Sequence, residues 1–148
     1  MPYQGLEQSI GFTMGMTYRK LTNFFQQRLR EYAITPEQWS VLYQISKSDG
    51  LIQKEIALRT SKENPTVTRI IDHLEKEQLI HKRPGVQDRR SFVVYITDKG
   101  RQLINETTAI NESVNDEVKK VISAEEYELM ISLLLRINNH MQASIEKS

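Results

Sequence analysis

The side chains best suited to recognising another molecule fall between Lys54 and Arg90. Asn64-Pro65-Thr66-Val67-Thr68-Arg69 sets short hydroxyls and one arginine within two turns of a helix start. Such groups exchange hydrogen bonds without bulk, which suits base edges and phosphate oxygens. His73 follows on the same segment, and Lys54, Lys62, Lys82 and Arg83 add cations able to meet phosphate. Asp88-Arg89-Arg90 then places two guanidinium groups in a polar loop. An arginine there suits a narrow, strongly negative groove. An aspartate facing phosphate would repel it, so Asp88 is expected to brace the loop instead.

This is the chemistry of binding, and the side chains that make and break bonds are not assembled. His73, His81 and His140 sit on separate segments without metal-ligand spacing. The chain has no cysteine, so thiol nucleophiles, disulfides and thiolate zinc sites are excluded. Glycine-rich phosphate loops are also missing. No enzyme activity, metal or cofactor is expected.

The elements that must hold these residues are legible from periodicity and capping. Glu55 to Thr60 and Thr66 to Gln78 read as two helices joined by a short turn, with Asn64 as the cap of the second. Val67, Ile70, Ile71 and Leu74 form its inward stripe, leaving Pro65, Arg69, Asp72 and Lys76 on the opposite side. Phe92 to Ile96 is β-branched and aromatic and pairs with Ile80 to Arg83 across a loop from Pro84 to Ser91. Helix, turn, helix and arginine-tipped hairpin is the order of a winged helix-turn-helix, whose second helix enters the major groove.

The flanks are helical. Leu6 to Tyr32 carries Leu6, Ile10, Met14, Tyr18, Leu21, Phe25 and Leu29 at helical steps, with Gly11 and Gly15 weakening its first half. Thr35-Pro36-Glu37-Gln38 is a capping box opening a helix whose inward face is Trp39, Leu42, Tyr43 and Ile45, stopped at Asp49-Gly50. Thr97 caps a helix expected to reach Val121, and Ser123-Ala124-Glu125-Glu126 boxes the last one. Tyr127, Met130, Leu133, Leu134, Ile137, Met141 and Ile145 should face inward there. The terminal helices hold more apolar stripe than a small core can cover, so self-association through a two-fold axis is expected.

Charge follows the same division. The net charge is only +1, yet residues 51–101 carry 11 Lys/Arg against 7 Asp/Glu and residues 102–148 carry 4 against 8. Positive charge therefore gathers on the helix-turn-helix segment, where a phosphate-binding surface needs it. No apolar run approaches the roughly 20 residues that span a bilayer, and no signal-peptide pattern opens the chain. A cytoplasmic protein is expected.

Three stretches together resemble the MarR family, named for the multiple antibiotic resistance regulator: Thr35 to Leu42, Pro65 to Lys76, and Asp88 to Gly100. The resemblance implies a mainly α fold with a small β-hairpin wing. It implies a winged helix-turn-helix lobe at 33–101 and a dimerisation lobe from 1–32 and 102–148, all one MarR-like domain. It also implies a bacterial, homodimeric transcriptional regulator of double-stranded DNA, a repressor released by a small phenolic or lipophilic effector. Arg90 would contact DNA in or near the minor groove, Asp88 would hold the wing, and Thr66, Thr68 and Arg69 would make contacts from the recognition helix. The effector site is left open, with Tyr18, Trp39 and Tyr43 as candidate lining or plain core. The rival reading is a helical protein-interaction module that keeps the fold without binding DNA.

Overall fold

The computed structural model describes residues 5–48, 50–88 and 90–148. A single 3-10 turn at Leu6–Gln8 precedes α1 (Ile10–Leu29), and a second at Arg30–Tyr32 follows it. Then come α2 (Pro36–Ser46), β1 (Leu51–Ile52), α3 (Gln53–Thr60), α4 (Asn64–Lys76), β2 (Ile80–Pro84), β3 (Phe92–Ile96), α5 (Asp98–Val118) and α6 (Ala124–Lys147). The expected helix from Leu6 to Tyr32 is thus three segments. Gly11 and Gly15 lie inside α1 rather than ending it. The chain divides into two compact units, one ending at Ile110 and one from Asn111 to Ser148, with the division inside α5.

In the first unit, helix starts follow local chemistry. Thr35 Oγ1 accepts from the Gln38 amide at 3.1 Å while Gln38 Oε1 accepts from the Thr35 amide at 3.0 Å, so α2 opens on the expected reciprocal box. Thr97 Oγ1 accepts from the Gly100 amide at 3.0 Å and caps α5. Residue 49, half of the expected stop after α2, lies outside the described residues; Gly50 has φ 103°, a left-handed conformation that favours glycine. A Cβ at Gly50 would also meet the Tyr95 ring at 2.9 Å.

The core of this unit lies where α2, α3 and α4 meet the sheet. Leu42, Ile45, Ile56, Ile71, Leu74, Ile80 and Val94 are fully buried. The predicted stripe of α4 is buried throughout, with Ile70 the most exposed member at 8%. The sheet is antiparallel in the order β1-β3-β2. Ile80 pairs with Ile96, Lys82 with Val94 and Pro84 with Phe92, so these six share a face; His81 with Tyr95 and Arg83 with Val93 share the other. β1 was not expected: two residues carry no readable alternation, and the strand exists only through its pairing of Leu51 with Val94 and Ile52 with Val93.

Trp39 joins α2 to α5. Its Nε1 donates to Thr107 Oγ1 at 2.7 Å, and that hydroxyl donates in turn to the Leu103 carbonyl at 2.6 Å. Thr107 is fully buried, so both of its polar capacities are met where water cannot reach. Gly100 completes the junction, because a Cβ there would overlap the Leu79 carbonyl oxygen.

The second unit corrects two expectations. Helix α5 stops at Val118, and Val121 is 83% exposed in the following turn rather than facing inward. α6 begins on the expected box, with Ser123 Oγ accepting from the Glu126 amide at 3.1 Å and Glu126 Oε1 accepting from the Ser123 amide at 2.8 Å. However, α6 has no buried residue: Met130, Leu133, Ile137, Met141 and Ile145 are exposed. The apolar pattern is there, and among the described residues it stands exposed. Ile10, Met14 and Tyr18 on α1, also expected inward, are exposed as well.

Candidate nucleic-acid interface

α3 and α4 are joined by a tight turn. Ser61 takes a left-handed conformation at φ 52°, and the Lys62 amide donates back to the Ala57 carbonyl at 3.1 Å, which closes the end of α3. α3 starts at Gln53, two residues earlier than the apolar pattern indicated. Asn64 does not cap α4. The first residue in helical conformation is Asn64 itself, Glu63 occupies the cap position without a side-chain bond, and the Val67 amide donates to the Glu63 carbonyl at 3.0 Å. Pro65 therefore sits in the first turn, where its missing N–H costs nothing.

With Val67, Ile70, Ile71 and Leu74 anchored below, the other side of α4 is necessarily presented to solvent. Asn64, Pro65, Thr68 and Arg69 are exposed, and Thr66 and His73 are half-buried. Arg69 Nη2 lies 3.4 Å from Thr66 Oγ1, a long hydrogen bond that uses one donor of an exposed guanidinium with five. The Thr68 hydroxyl donates to the Asn64 carbonyl at 2.9 Å. It also accepts from Gln53 Nε2 at 2.7 Å, a contact between α3 and α4 that sequence reasoning missed because Gln53 was not assigned to a helix.

The wing loop is braced by its own backbone and by Asp88. Asp88 Oδ1 accepts from the Arg90 amide at 2.9 Å, and the Asp88 carbonyl accepts from Ser91 Oγ at 2.7 Å. The Gly85 amide donates to the Ser91 carbonyl at 3.0 Å. Arg90 is exposed at this tip, and among the described residues its guanidinium has no carboxylate partner. Residue 89, the neighbouring arginine of the expected site, lies outside the described residues.

The other candidate cations divide by geometry. Lys82, on the inner face of β2, reaches Asp72 Oδ1 at 3.0 Å and Glu75 Oε1 at 3.5 Å on α4, and its ammonium lies 4.8 Å from the Phe92 ring centroid. Burial alone would pull its pKa down. The Asp72 hydrogen bond and the charges of Glu75 and Asp72 outweigh that and leave it above the usual lysine value. Arg83, on the opposite face, stacks its guanidinium 5.1 Å from the Tyr95 ring, which His81 covers at 5.4 Å. Lys54 is exposed and Lys62 half-buried, both beside the turn between α3 and α4.

A cleft of about 280 Å³ opens between α1 and α2, lined by Tyr18, Thr22, Gln26, Thr35 and Glu37 among others. Of the three aromatic residues considered for an effector pocket, only Tyr18 reaches it. Trp39 is 5% exposed and packs edge-on against Phe25, while Tyr43 stacks on Trp39 at 5.2 Å. Among the described residues no cluster of histidines or carboxylates is arranged to hold a metal ion, and no helix is long and apolar enough to cross a membrane.

A helix pair joined by a tight turn, followed by a braced hairpin, defines a winged helix-turn-helix protein. Residues 34–92 match the model of the MarR family. Solved structures share its fold. Bordetella bronchiseptica BpsR, solved in work on regulation of its DNA binding by 6-hydroxynicotinic acid, superposes with a TM-score of 0.86 at 22% identity, over 93% of this chain and 98% of that one. The S. aureus MepR–DNA complex gives 0.80 at 27% identity, over 89% and 98%. A mutant of MarR from E. coli, complexed with operator DNA, gives 0.81 at 22% identity, over 90% and 99%.

Proposed function

We propose that this chain is a sequence-specific, double-stranded DNA-binding transcriptional regulator, acting in the cytoplasm as a homodimer. One observation carries the reading: α4 buries one complete face and exposes hydroxyls and Arg69 on the other, while the acids on that helix are held by Lys82. Two carboxylates turned toward phosphate would oppose binding, and the lysine offsets one of their two charges from the wing side. Thr66, Thr68 and Arg69 then meet base edges and backbone in the major groove, and Arg90 enters the flanking minor groove. Asn64 and Pro65 set the entrance of that helix, and Lys54, Lys62, His73 and Arg83 supply peripheral contacts.

Exposed apolar residues on α1 and on α6 support the dimer, since a solvated stripe of that length is covered by a second copy. A two-fold axis sets the recognition helices about one DNA turn apart, roughly 34–36 Å. Repression relieved by a small molecule fits the cleft beside Tyr18, whose lining of amide, hydroxyl and carboxylate groups favours a small polar aromatic over a purely lipophilic ligand. Such a ligand acts by favouring one spacing of the two recognition helices over another. Catalysis has no part in this reading.

A fluorescence-anisotropy titration against operator-containing genomic fragments across a salt series tests it. Affinity should fall steeply as salt rises, by counterion release. Binding to no duplex even in dilute buffer, with a protein partner captured independently of salt, would favour the interaction-module reading instead.

A further inference from the structure

The contact between Gln53 and Thr68 fixes where the protons of both side chains go. Gln53 Nε2 lies 2.7 Å from Thr68 Oγ1 and 3.3 Å from the Asn64 carbonyl oxygen. A carbonyl only accepts, so the Gln53 amide nitrogen, not its oxygen, must face α4. Both amide protons are then committed. Thr68 cannot donate to a nitrogen that is itself donating, so its single proton goes to the Asn64 carbonyl, 2.9 Å away. What remains for an incoming molecule is one lone pair and the methyl of Thr68, together with Gln53 Oε1, which has no partner among the described residues. The pair offers acceptors and no donor.

We infer that Gln53, through its hydrogen bond to Thr68, makes this point of the interface a proton acceptor that selects an amino base, adenine or cytosine, at one position of each half-site. In the major groove adenine presents its N6 amine and cytosine its N4 amine, whereas guanine O6 and thymine O4 are acceptors that would face lone pair against lone pair. Gln53 is thus a specificity-determining residue on the first helix of the motif, outside the recognition helix. The inference rests on the proposed entry of α4 into the major groove.

Selection from a randomised duplex library, followed by affinities for single-base variants of the recovered operator, tests it with wild type, Gln53→Leu and Thr68→Val. Wild type should disfavour guanine and thymine at one position per half-site by about tenfold, the scale of one base-edge hydrogen-bond mismatch. Gln53→Leu removes the Oε1 acceptor and releases Thr68 to leave the rotamer in which the Asn64 carbonyl holds its proton, so that preference should fall to within about twofold while the rest of the motif persists. Thr68→Val keeps the shape and removes the acceptor, and should erase the same preference even if Gln53→Leu proves unstable. A variant motif identical to wild type, with affinity lowered evenly across all positions, overturns the inference and leaves DNA binding standing. Recovery of no duplex by wild type overturns both.

Discussion

The Lys82 ammonium lies 3.0 Å from the Asp72 carboxylate, which ties the first strand of the wing to the solvent side of the recognition helix. Glu75, one helical turn further along, shares the same lysine at 3.5 Å. Helix and hairpin must engage DNA together, so a contact fixing the angle between them bears on both. The lysine side chain is 24% exposed, and a pair this open contributes little to stability, about 0–1 kcal/mol. Its larger consequence is geometric.

Lys82→Met should therefore weaken operator binding without lowering the salt dependence. A lysine that neutralises a phosphate takes about one unit off the slope of log affinity against log salt when removed. A lysine committed to Asp72 and Glu75 takes none. Slopes of wild type and variant, measured on one duplex, decide between these roles. Because the folded pKa is raised, the pair's contribution is complete below the unfolded lysine value, about 10.4, and disappears as pH rises through the folded one. Neutral-pH experiments leave it intact.

At the wing tip, Asp88 Oδ1 accepts from the Arg90 amide and so holds the loop through backbone rather than through the guanidinium. Arg90→Ala should weaken operator binding by about 1–3 kcal/mol at fixed salt. Asp88→Ala, which leaves the arginine in place, should produce a smaller loss by letting the loop wander. Anisotropy titrations of both variants check this, and an unchanged Arg90→Ala would remove that arginine from the interface.

Much of this arrangement is local in origin, and that part was legible in the residues. The boxes at Thr35/Gln38 and Ser123/Glu126 need only four consecutive residues, and the buried stripe of α4 needs only its period. The pairing of Ile80 to Arg83 with Phe92 to Ile96 followed from apolar runs on either side of a polar loop, whereas its register is seen only in the structure. What escaped depends on partners distant in sequence. β1 exists because β3 lies beside it. Lys82 reads as a phosphate contact until Asp72 and Glu75 are seen within reach. Gln53 gains its role only when Thr68, on another helix, folds against it. Asn64 has the side chain of a cap, yet the helix begins one residue earlier than that reading requires, with Glu63 at the cap position.

The bond from Trp39 Nε1 to Thr107 Oγ1 gives a stability test inside the first unit. Thr107→Val preserves shape and removes the acceptor, leaving a buried indole N–H unsatisfied at a cost of about 1–3 kcal/mol. Thr107→Ser keeps the hydroxyl and should lose less. Urea unfolding monitored by Trp39 fluorescence compares the two, and a serine midpoint at or below that of the valine variant would mean that the methyl matters at least as much as the hydrogen bond.

Acid should act on the start of α6. The backbone amide of Ser123, and then its side chain, hydrogen-bond the Glu126 carboxylate and lower its pKa. A depressed folded value means that the cap's contribution is present above the unfolded glutamate value, about 4.3, and is lost as pH falls through the lower folded value. Glu126→Gln keeps an acceptor at that position without a titrating proton. Carboxyl chemical shifts followed by NMR should place the Glu126 titration below the ordinary glutamate value, about 4.3, and the glutamine variant should retain its first helical turn in acid. A Glu126 midpoint at or above that ordinary value would contradict the assignment.

The exposed stripe of α6 makes the dimer testable apart from DNA. Ile137 and Met141 lie one helical turn apart and are 38% and 50% exposed in the single chain, so replacing both with lysine should leave the protomer folded. If a second copy covers them, burying two added ammonium groups is prohibitive and the dimer dissociates. Sedimentation velocity should then report a monomer near 17.3 kDa, with thermal unfolding shifted only modestly. Operator affinity should fall much further than Arg90→Ala lowers it, because two half-sites contacted by one tethered pair become two independent and weaker events. A double variant that still sediments as a dimer would move the self-association surface away from α6, while leaving the recognition helix and wing unaffected.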